Sequence, residues 1–332
     1  MNKRKVIKLV EPPITSYPAI AYILALKWSE KEGIMPWLSD HFIQLIVRTK
    51  HEYTFGDYYD HADLDNHFSI IYGMPGLGWM RVTRDLANFS KFTDYVEYLI
   101  DKECCIEACL DRFYFSFSQD YQVRHFRHST LIYGYDKEKR IIYLADFFDN
   151  CRFVAKEASY DEVNLSMNND WIINLYYHGK PEYKFNKELM RRYFDDYLNS
   201  RDSFCKYEFS NREYNRYGVR FGLAYYDYLI ERLMTQDDLD LRMIHVLYDH
   251  KKLMKYRLKF LQENALFDFE QLERLLAENE KIFTDVETLR ALAIRFSIEH
   301  REDIKKKIIS RVQEVKEEDA EFVRGVLALY NN

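Results

Sequence analysis

A histidine and an aspartate stand near the two ends of the segment HSTLIYGYDKEKRIIYLADFF, which spans residues 128–148. Two runs of β-forming residues flank a polar turn at residues 136–139, and this spacing is typical of a β-hairpin. If the connection takes up an odd number of residues, which a bulge at Gly134 allows, His128 lies directly across from Asp146, with Cβ atoms about 5 Å apart. With an even connection the two side chains point to opposite faces.

In such a pair, the carboxylate of Asp146 would orient the imidazole ring of His128. A carboxylate that accepts one ring N–H fixes the tautomer and leaves the other ring nitrogen free to act as a base. Taken alone, the pair is better explained as a histidine at a strand end and an aspartate near a turn, because strand ends often carry polar residues. The functional interpretation therefore depends on what the rest of the chain supplies.

His125 is the alternative base, three residues before His128. On a strand this odd spacing would place it on the opposite face from His128. We favour His128, because the apolar run begins directly after it.

Composition excludes several classes of protein. A chain of 332 residues has the length of about two domains, and 47% hydrophobic residues suffice for substantial cores. The net charge of −6 argues against a nucleic-acid binder. The basic start MNKRKVIKLVEPP lacks the apolar core of a signal peptide, and no window holds about 18 uncharged apolar residues. We expect a globular cytoplasmic protein that binds neither nucleic acid nor membrane.

The five cysteines do not have the spacing of a metal site. Their number is odd, and the CCxxxC cluster lies in a strand-like apolar run. We expect them to be small core residues, and we predict no metal and no cysteine nucleophile among them. They are Cys104, Cys105, Cys109, Cys151 and Cys205.

The distribution of proline and glycine divides the chain. All six prolines fall at or before Pro181, and the only glycine after Gly222 is Gly325, so the last third lacks helix-breaking residues. The pattern predicts two domains, 1–180 with strands and helices and 181–332 all α. On the long helix of the second domain, His250 and Lys251 are expected to be mainly surface residues.

A histidine that heads a hairpin, with an acid on the next strand, is typical of the second half of a papain-like catalytic domain. The nucleophile should then lie upstream, at the N-terminus of a buried helix, where the helix dipole lowers the pKa of a thiol and backbone N–H groups can hold an oxyanion. The apolar run 19–28 predicts such a helix. Its start carries Ser16 and Tyr17 and no cysteine.

Several segments resemble a known family, and the resemblance covers the chain from about Glu11 to Gln262. It is similar to the butirosin biosynthesis protein H-like family, a branch of papain-like, peptidase C39-like proteins encoded among antibiotic assembly-line genes. No single motif is diagnostic, but the order and spacing of the segments are specific together. The segments are SYPAIAYILAL, DRFYFSFSQDY, the hairpin quoted above, YGVRFGLAYYDYLIERL and HVLYDHKKLMKYRLKFL.

The resemblance implies a fold and an activity. The fold is α+β, with a papain-like (C39-like) N-terminal domain. The activity is amide-forming acyl transfer, in which an acyl group moves from the thioester of an acyl or peptidyl carrier protein to an amine of a small molecule or peptide. The resemblance implies no cofactor beyond the phosphopantetheine arm of the carrier protein.

Carried over residue by residue, the family's histidine falls on His128 and its acid on Asp146. The nucleophilic cysteine of the family falls on Ser16, and the helper glutamine that many papain-like enzymes carry just upstream is absent. Candidates to line the substrate cleft are Tyr17, Tyr114 and Tyr121; for the last two, core packing explains the residue equally well.

Ser16 leaves the activity open, because a hydroxyl is a weaker nucleophile than a thiol and depends fully on its base. Three explanations remain: a working serine variant, a natural pseudoenzyme, or an engineered replacement of cysteine. The alternative function is accordingly a catalytically inactive scaffold that binds a carrier protein or a peptide.

Overall fold

The computed structural model describes residues 2–15, 18–49, 54–59, 76–86, 89–149, 152–167, 172–178, 183–203, 219–236 and 239–331. The strands in these ranges are β1 Arg4–Val6, β2 Gln44–Thr49, β3 Thr54–Tyr59, β4 Leu77–Thr83, β5 Cys105–Asp111, β6 Arg127–Asp136, β7 Ile141–Asp149, β8 Arg152–Ser159, β9 Ile172–His178 and β10 Arg220–Phe221. The α-helices are α1 Pro18–Lys27, α2 Lys31–Asp40, α3 Phe92–Asp101, α4 Tyr160–Ser166, α5 Lys187–Leu198, α6 Ala224–Thr235, α7 Leu241–Glu263, α8 Phe269–Glu299 and α9 Glu302–Ala328.

Helices and antiparallel strands form two compact units. The first comprises Met1–Ile34 and Ile71–Glu182, and the second comprises Met35–Ile70 and Tyr183–Asn332. The mixed α and β composition agrees with the expected class. None of the helices in the described ranges is long and apolar enough to cross a bilayer.

The first unit is built on an antiparallel sheet with the strand order β4-β9-β5-β6-β7-β8, in which β1 also pairs with β6. Along β5, the alternate residues Ile106, Ala108 and Leu110 belong to the buried core, as expected for a strand with one face toward the interior. The amphipathic helix α3 contributes Val96 and Ile100 to the same core.

The predicted hairpin is confirmed as β6 and β7, and its register shifts between Ile132 and Gly134 as a bulge does. Beyond the bulge, Leu131 pairs with Ala145, and this is the last pair of β6 with β7 at that end of the hairpin. His128 and Asp146 are not a pair in this register, so the prediction that His128 lies directly across from Asp146 is wrong. The bulge nevertheless gives the connection the odd length that the prediction required, and the two side chains meet on one face.

The cysteine prediction holds only in part. Cys105 is buried, Cys104 is half-buried and Cys109 is exposed, so Cys109 is not the core residue that was expected. The reason is the alternation of β5, since Cys109 points away from the face on which Ala108 and Leu110 are packed. Cys151 and Cys205 lie outside the described residues.

The second unit differs from the all-α domain predicted for 181–332. It includes residues 35–70, which the sequence pattern assigned to the first domain, and it contains a three-stranded sheet in the order β10-β2-β3. Strands β10 and β2 pair antiparallel through two residue pairs, Arg220 with Val47 and Phe221 with Ile46. The scarcity of proline and glycine correctly indicates α6 to α9, but it carries no information about a strand that joins from far upstream.

A charged cluster lies inside the second unit and corrects the prediction for His250 and Lys251, whose side chains are fully buried. Lys251 Nζ lies 2.5 Å from Asp319 Oδ1, and Asp319 Oδ2 accepts hydrogen bonds from Tyr197 and Tyr226 at 2.6 and 2.8 Å. Burial lowers the pKa of Lys251, and the charge of Asp319 only partly offsets this effect. The surface expectation is wrong because α7 is covered on several sides, which its mixed polar and apolar pattern does not reveal.

Candidate active site around His128 and Asp146

The predicted hydrogen bond between His128 and Asp146 is present. His128 Nδ1 lies 2.9 Å from Asp146 Oδ2 and 2.8 Å from the carbonyl oxygen of Ser129. Because both neighbours of Nδ1 are acceptors, the proton of the neutral ring belongs on Nδ1, and Nε2 keeps its lone pair. The His128 side chain is 27% exposed, so it is held by the sheet and still reached by solvent.

Asp146 is completely buried and lies within reach of five hydrogen-bond donors. Oδ1 lies 2.9 Å from the Tyr22 hydroxyl and 2.7 Å from the backbone nitrogen of Phe147. Oδ2 faces His128, Arg112 Nη2 at 2.8 Å and Thr130 Oγ1 at 3.0 Å. Burial alone would raise the pKa of Asp146, but the hydrogen bonds and positive charges of His128 and Arg112 outweigh it and hold the pKa below its ordinary value. The carboxylate is therefore ionised and fixed in place.

The separation of two strands creates this site. The last pair between β6 and β7 at this end is Leu131 with Ala145, and beyond it the two backbones no longer bond to each other. The N–H of Phe147 donates to the carboxylate of Asp146, and the carbonyl oxygen of Ser129 accepts from Tyr22 and His128. Side chains thus satisfy the backbone groups that the sheet leaves open.

Tyr22 links the upstream helix to the acid. It lies on α1, its side chain is fully buried, and its hydroxyl proton is shared between Ser129 O and Asp146 Oδ1. Burial, followed by the charge of Asp146, raises the pKa of Tyr22 well above its ordinary value, so it remains a neutral donor. The helix begins at Pro18, about one turn before Tyr22. Ser16 and Tyr17, which precede Pro18, lie outside the described residues.

Arg112 forms an ion pair with Asp146, and sequence reasoning missed it. It lies in the 3₁₀ turn Arg112–Tyr114 that follows β5, and only 5% of it is exposed. Its guanidinium stands 5.2 Å from the ring centre of Phe126 and 5.0 Å from that of Phe148. An arginine among aromatic residues in the segment RFYF was the available signal, but nothing in it pointed to Asp146.

His125, the alternative base, has a separate partner. Its Nδ1 lies 2.7 Å from Asp111 Oδ2, and its ring stacks on Phe113 with 4.2 Å between the centres. It precedes β6, so the face argument made for a strand does not apply to it. Burial would raise the pKa of Asp111, but hydrogen bonds from His125 and from backbone N–H groups hold it below its ordinary value.

Of the three tyrosines predicted to line a cleft, Tyr17 lies outside the described residues, and Tyr114 and Tyr121 lie beside His125 and at the surface, respectively. The ring of Tyr114 is 6.1 Å from that of His125, and Tyr121 is 39% exposed. Within the described part of the chain, neither tyrosine forms a hydrogen bond or ring contact with His128 or Asp146. Their role as substrate-binding residues stays a prediction.

Glu107 is a second buried carboxylate next to the site. Ser129 Oγ donates to its Oε1, and Asn174 Nδ2 and Tyr176 Oη donate to its Oε2 at 3.0 and 2.5 Å. Ser129 therefore contacts Glu107 through its side chain and His128 through its carbonyl group. Sequence reasoning does not reveal this arrangement, because the donors come from two different strands, β6 and β9.

The described cysteines are poor candidates for a nucleophile. Burial raises the pKa values of Cys104, Cys105 and Cys109, which disfavours the reactive thiolate. Cys109 pairs with Ser129, whereas His128 pairs with Leu110, so Cys109 and His128 lie on opposite faces of the sheet. Among the residues with described positions, no three histidine, cysteine or acidic side chains form a metal-binding group.

No protein-family model matches this chain, and no curated protein is recognisably similar to it. The interpretation of the site therefore depends on its geometry. That geometry is a buried, ionised carboxylate that orients a solvent-reachable imidazole, next to a helix that enters from upstream.

Proposed function

We propose that this protein is an acyltransferase with a papain-like first unit, in which Ser16, His128 and Asp146 transfer an acyl group from a thioester to an amine. The observation that carries the proposal is the His128–Asp146 hydrogen bond, which fixes Nδ1 as the donor and leaves Nε2 as a base. Two further features support it. The histidine and the acid lie on adjacent strands of an antiparallel sheet, and Tyr22 ties α1 to that acid.

In the first half-reaction, Ser16 attacks the carbonyl carbon of the thioester while His128 Nε2 takes the hydroxyl proton. Asp146 stabilises the resulting imidazolium. The C–S bond then breaks, and the thiolate that leaves takes the proton from His128. The products are an ester on Ser16 and a free thiol.

In the second half-reaction, the acceptor amine attacks the Ser16 ester and gives a proton to His128. The C–N bond forms and the C–O bond breaks, and Ser16 regains its proton from the imidazolium. The net reaction converts a thioester and an amine into an amide and a thiol. No oxidant, reductant or metal takes part in this scheme.

The donor in this proposal is an acyl or peptidyl carrier protein, whose phosphopantetheine arm holds the acyl group. The acceptor is an amine on a small molecule or peptide. Both assignments rest on the resemblance to antibiotic-biosynthesis acyltransferases.

The test is to detect the acyl-enzyme. Incubation with an S-acyl N-acetylcysteamine thioester, which mimics the end of the arm, should leave an acyl adduct on the peptide that contains Ser16. Mass spectrometry should find no adduct in Ser16→Ala or in His128→Gln. An adduct that persists in Ser16→Ala would overturn the assignment of the nucleophile.

The scaffold function remains the second candidate, and the serine in the position of the family's cysteine favours it. Ser16→Cys separates the two. If the cysteine variant forms the adduct and the serine protein does not, the His128 site is competent and only the nucleophile is missing. If neither variant reacts with the thioester and the serine protein still binds an acylated carrier protein, the scaffold function is correct.

A further inference from the structure

Arg112 and His128 share one oxygen of Asp146. Arg112 Nη2 and His128 Nδ1 lie 2.8 and 2.9 Å from Oδ2, so the guanidinium and the imidazole ring share one negative charge. A guanidinium stays protonated wherever the protein is folded, whereas an imidazole does not. Asp146 therefore has a permanent counterion that does not depend on the state of His128.

The surroundings of Arg112 show that it is built into the site. Its side chain is 6% exposed, it stands between the rings of Phe126 and Phe148, and its backbone N–H donates to the carbonyl oxygen of Phe126 at 2.9 Å. A charge buried in this way interacts with its neighbours with little screening by solvent.

We propose that Arg112 is a positioning residue that keeps His128 neutral, and thus able to accept a proton from a hydroxyl, by neutralising the carboxylate that orients it. The catalytic role given to Arg112 rests on the proposed function, whereas its effect on the charge of His128 can be measured without it. A lone carboxylate beside a histidine favours the imidazolium form, which suits a thiolate–imidazolium pair. When the carboxylate is already paired with a guanidinium, it no longer favours the imidazolium form. A neutral imidazole suits a serine nucleophile, because a hydroxyl reacts only with the help of an unprotonated base.

The other charged groups near His128 do not have the same effect on it. Arg127 is the adjacent residue on β6 and is exposed, and Asp111, opposite Arg127, is held by His125. On the far side of Ser129, Glu107 accepts from neutral donors, and the phenol of Tyr22 is neutral. Among the described residues, Arg112 is the one cation that contacts the same carboxylate oxygen as His128.

The test follows the charge state of the His128 ring by NMR, with the resonance assigned from the spectrum of His128→Gln. Arg112→Met removes the charge, and Arg112→Gln removes the charge but keeps a hydrogen-bond donor. In both variants we expect the ring to change charge about one pH unit higher than in the parent protein, a tenfold change in the protonation equilibrium. Arg112→Lys, which keeps the charge, should give a smaller change.

Arg124→Met is the matched control. Arg124 also stands over the Phe126 ring, at 5.3 Å, but it pairs with Asp120 and is 64% exposed. Its removal should leave the titration of His128 unchanged. The inference is overturned if the pH at which the His128 ring changes charge is unchanged or lower in both neutral Arg112 variants. It is also overturned if Arg124→Met changes that pH equally.

Kinetics with the S-acyl N-acetylcysteamine thioester separate the two proposals. If Arg112 acts through the charge of His128, the acid limb of the kcat/KM profile moves to higher pH in Arg112→Met while the plateau at high pH is retained. A merely structural role would lower the plateau without moving the limb. If the NMR titration changes as expected and no acyl transfer occurs in any protein, the role of Arg112 stands and the proposed function fails.

Discussion

Tyr22 Oη and Asp146 Oδ1 lie 2.9 Å apart, although 124 residues separate them in the chain. The contact joins α1 to β7, and the carbonyl oxygen of Ser129, in β6, shares the same hydroxyl proton. A buried phenol that bridges a helix and two strands restricts how the helix can move relative to the acid. In the proposed mechanism it therefore limits how far the start of α1 can drift from His128.

Replacement of Tyr22 by phenylalanine tests this role. The variant keeps the ring and loses the donor, so we expect the free energy of unfolding to fall by about 1–2 kcal/mol. We also expect the rate of acyl transfer to fall more than about tenfold, because the nucleophile and its base are less well aligned. Urea denaturation and single-turnover kinetics measure the two effects.

Tyr135→Phe is the control for that experiment. Tyr135 is also fully buried, and its hydroxyl donates to a carboxylate oxygen, Asp101 Oδ1, at 2.6 Å. It should lose a similar amount of stability and retain full acyl-transfer activity. If the two variants lose activity equally, the link between Tyr22 and the reaction is wrong.

The depressed pKa of Asp146 predicts a pH dependence of stability. A carboxyl group whose pKa is lower in the folded than in the unfolded protein contributes stability above its unfolded value of about 3.9. This contribution is lost as the pH falls through the folded value. The difference in unfolding free energy between the parent protein and Asp146→Asn should thus shrink as the pH falls from about 5 to below about 4. Urea denaturation across this range measures it, and a difference that grows on acidification would contradict the prediction.

The buried pair of Lys251 and Asp319 should be costly to break from one side. Lys251→Met leaves a buried carboxylate without its cation, and we expect a loss of about 3–5 kcal/mol in unfolding free energy. The double variant Lys251→Met with Asp319→Leu should recover much of this loss, since it removes both charges. Lys281→Met, which breaks an exposed pair with Glu318, should change stability by less than about 1 kcal/mol. If the single and double variants lose the same unfolding free energy, the unpaired charge of Asp319 is not the cause of the loss.

The parts of the site that the sequence predicts are those that are local in the chain. His128 and Asp146 are 18 residues apart in one hairpin, so strand patterning and a turn suffice to bring them together. Arg112 and Tyr22 reach the same carboxylate from 34 and 124 residues away. Hydrophobic periodicity predicts local helices and strands but not contacts with distant residues, so only the folded structure reveals these two.

Hydrophobic patterning shows the same limit in the second unit. The lack of proline and glycine after Gly222 correctly predicts long helices, but β2 belongs to that unit through its pairing with β10, which lies far along the chain. His250 and Lys251 look like surface residues because polar side chains usually are. Their burial depends on acceptors elsewhere: Ile43 O lies 2.7 Å from His250 Nε2, and Asp319 pairs with Lys251.

Gly134 provides a test of how β1 packs against the bulge in β6. A Cβ atom at this position would lie 2.8 Å from Lys5 O and 2.9 Å from Val6 Cα, so Gly134→Ala must displace β1 from β6. We expect a loss of about 1–3 kcal/mol in unfolding free energy. The amide of Ile7, which donates to Tyr133 O at 2.8 Å, should also lose protection from hydrogen exchange.

Gly33→Ala is the matched control, because a Cβ atom there meets nothing within 4 Å. Gly33 lies in α2, where alanine should stabilise the helix by about 0.5–1 kcal/mol relative to glycine. If Gly134→Ala is as stable as the parent protein and Ile7 stays protected, β1 does not pack against the bulge as described.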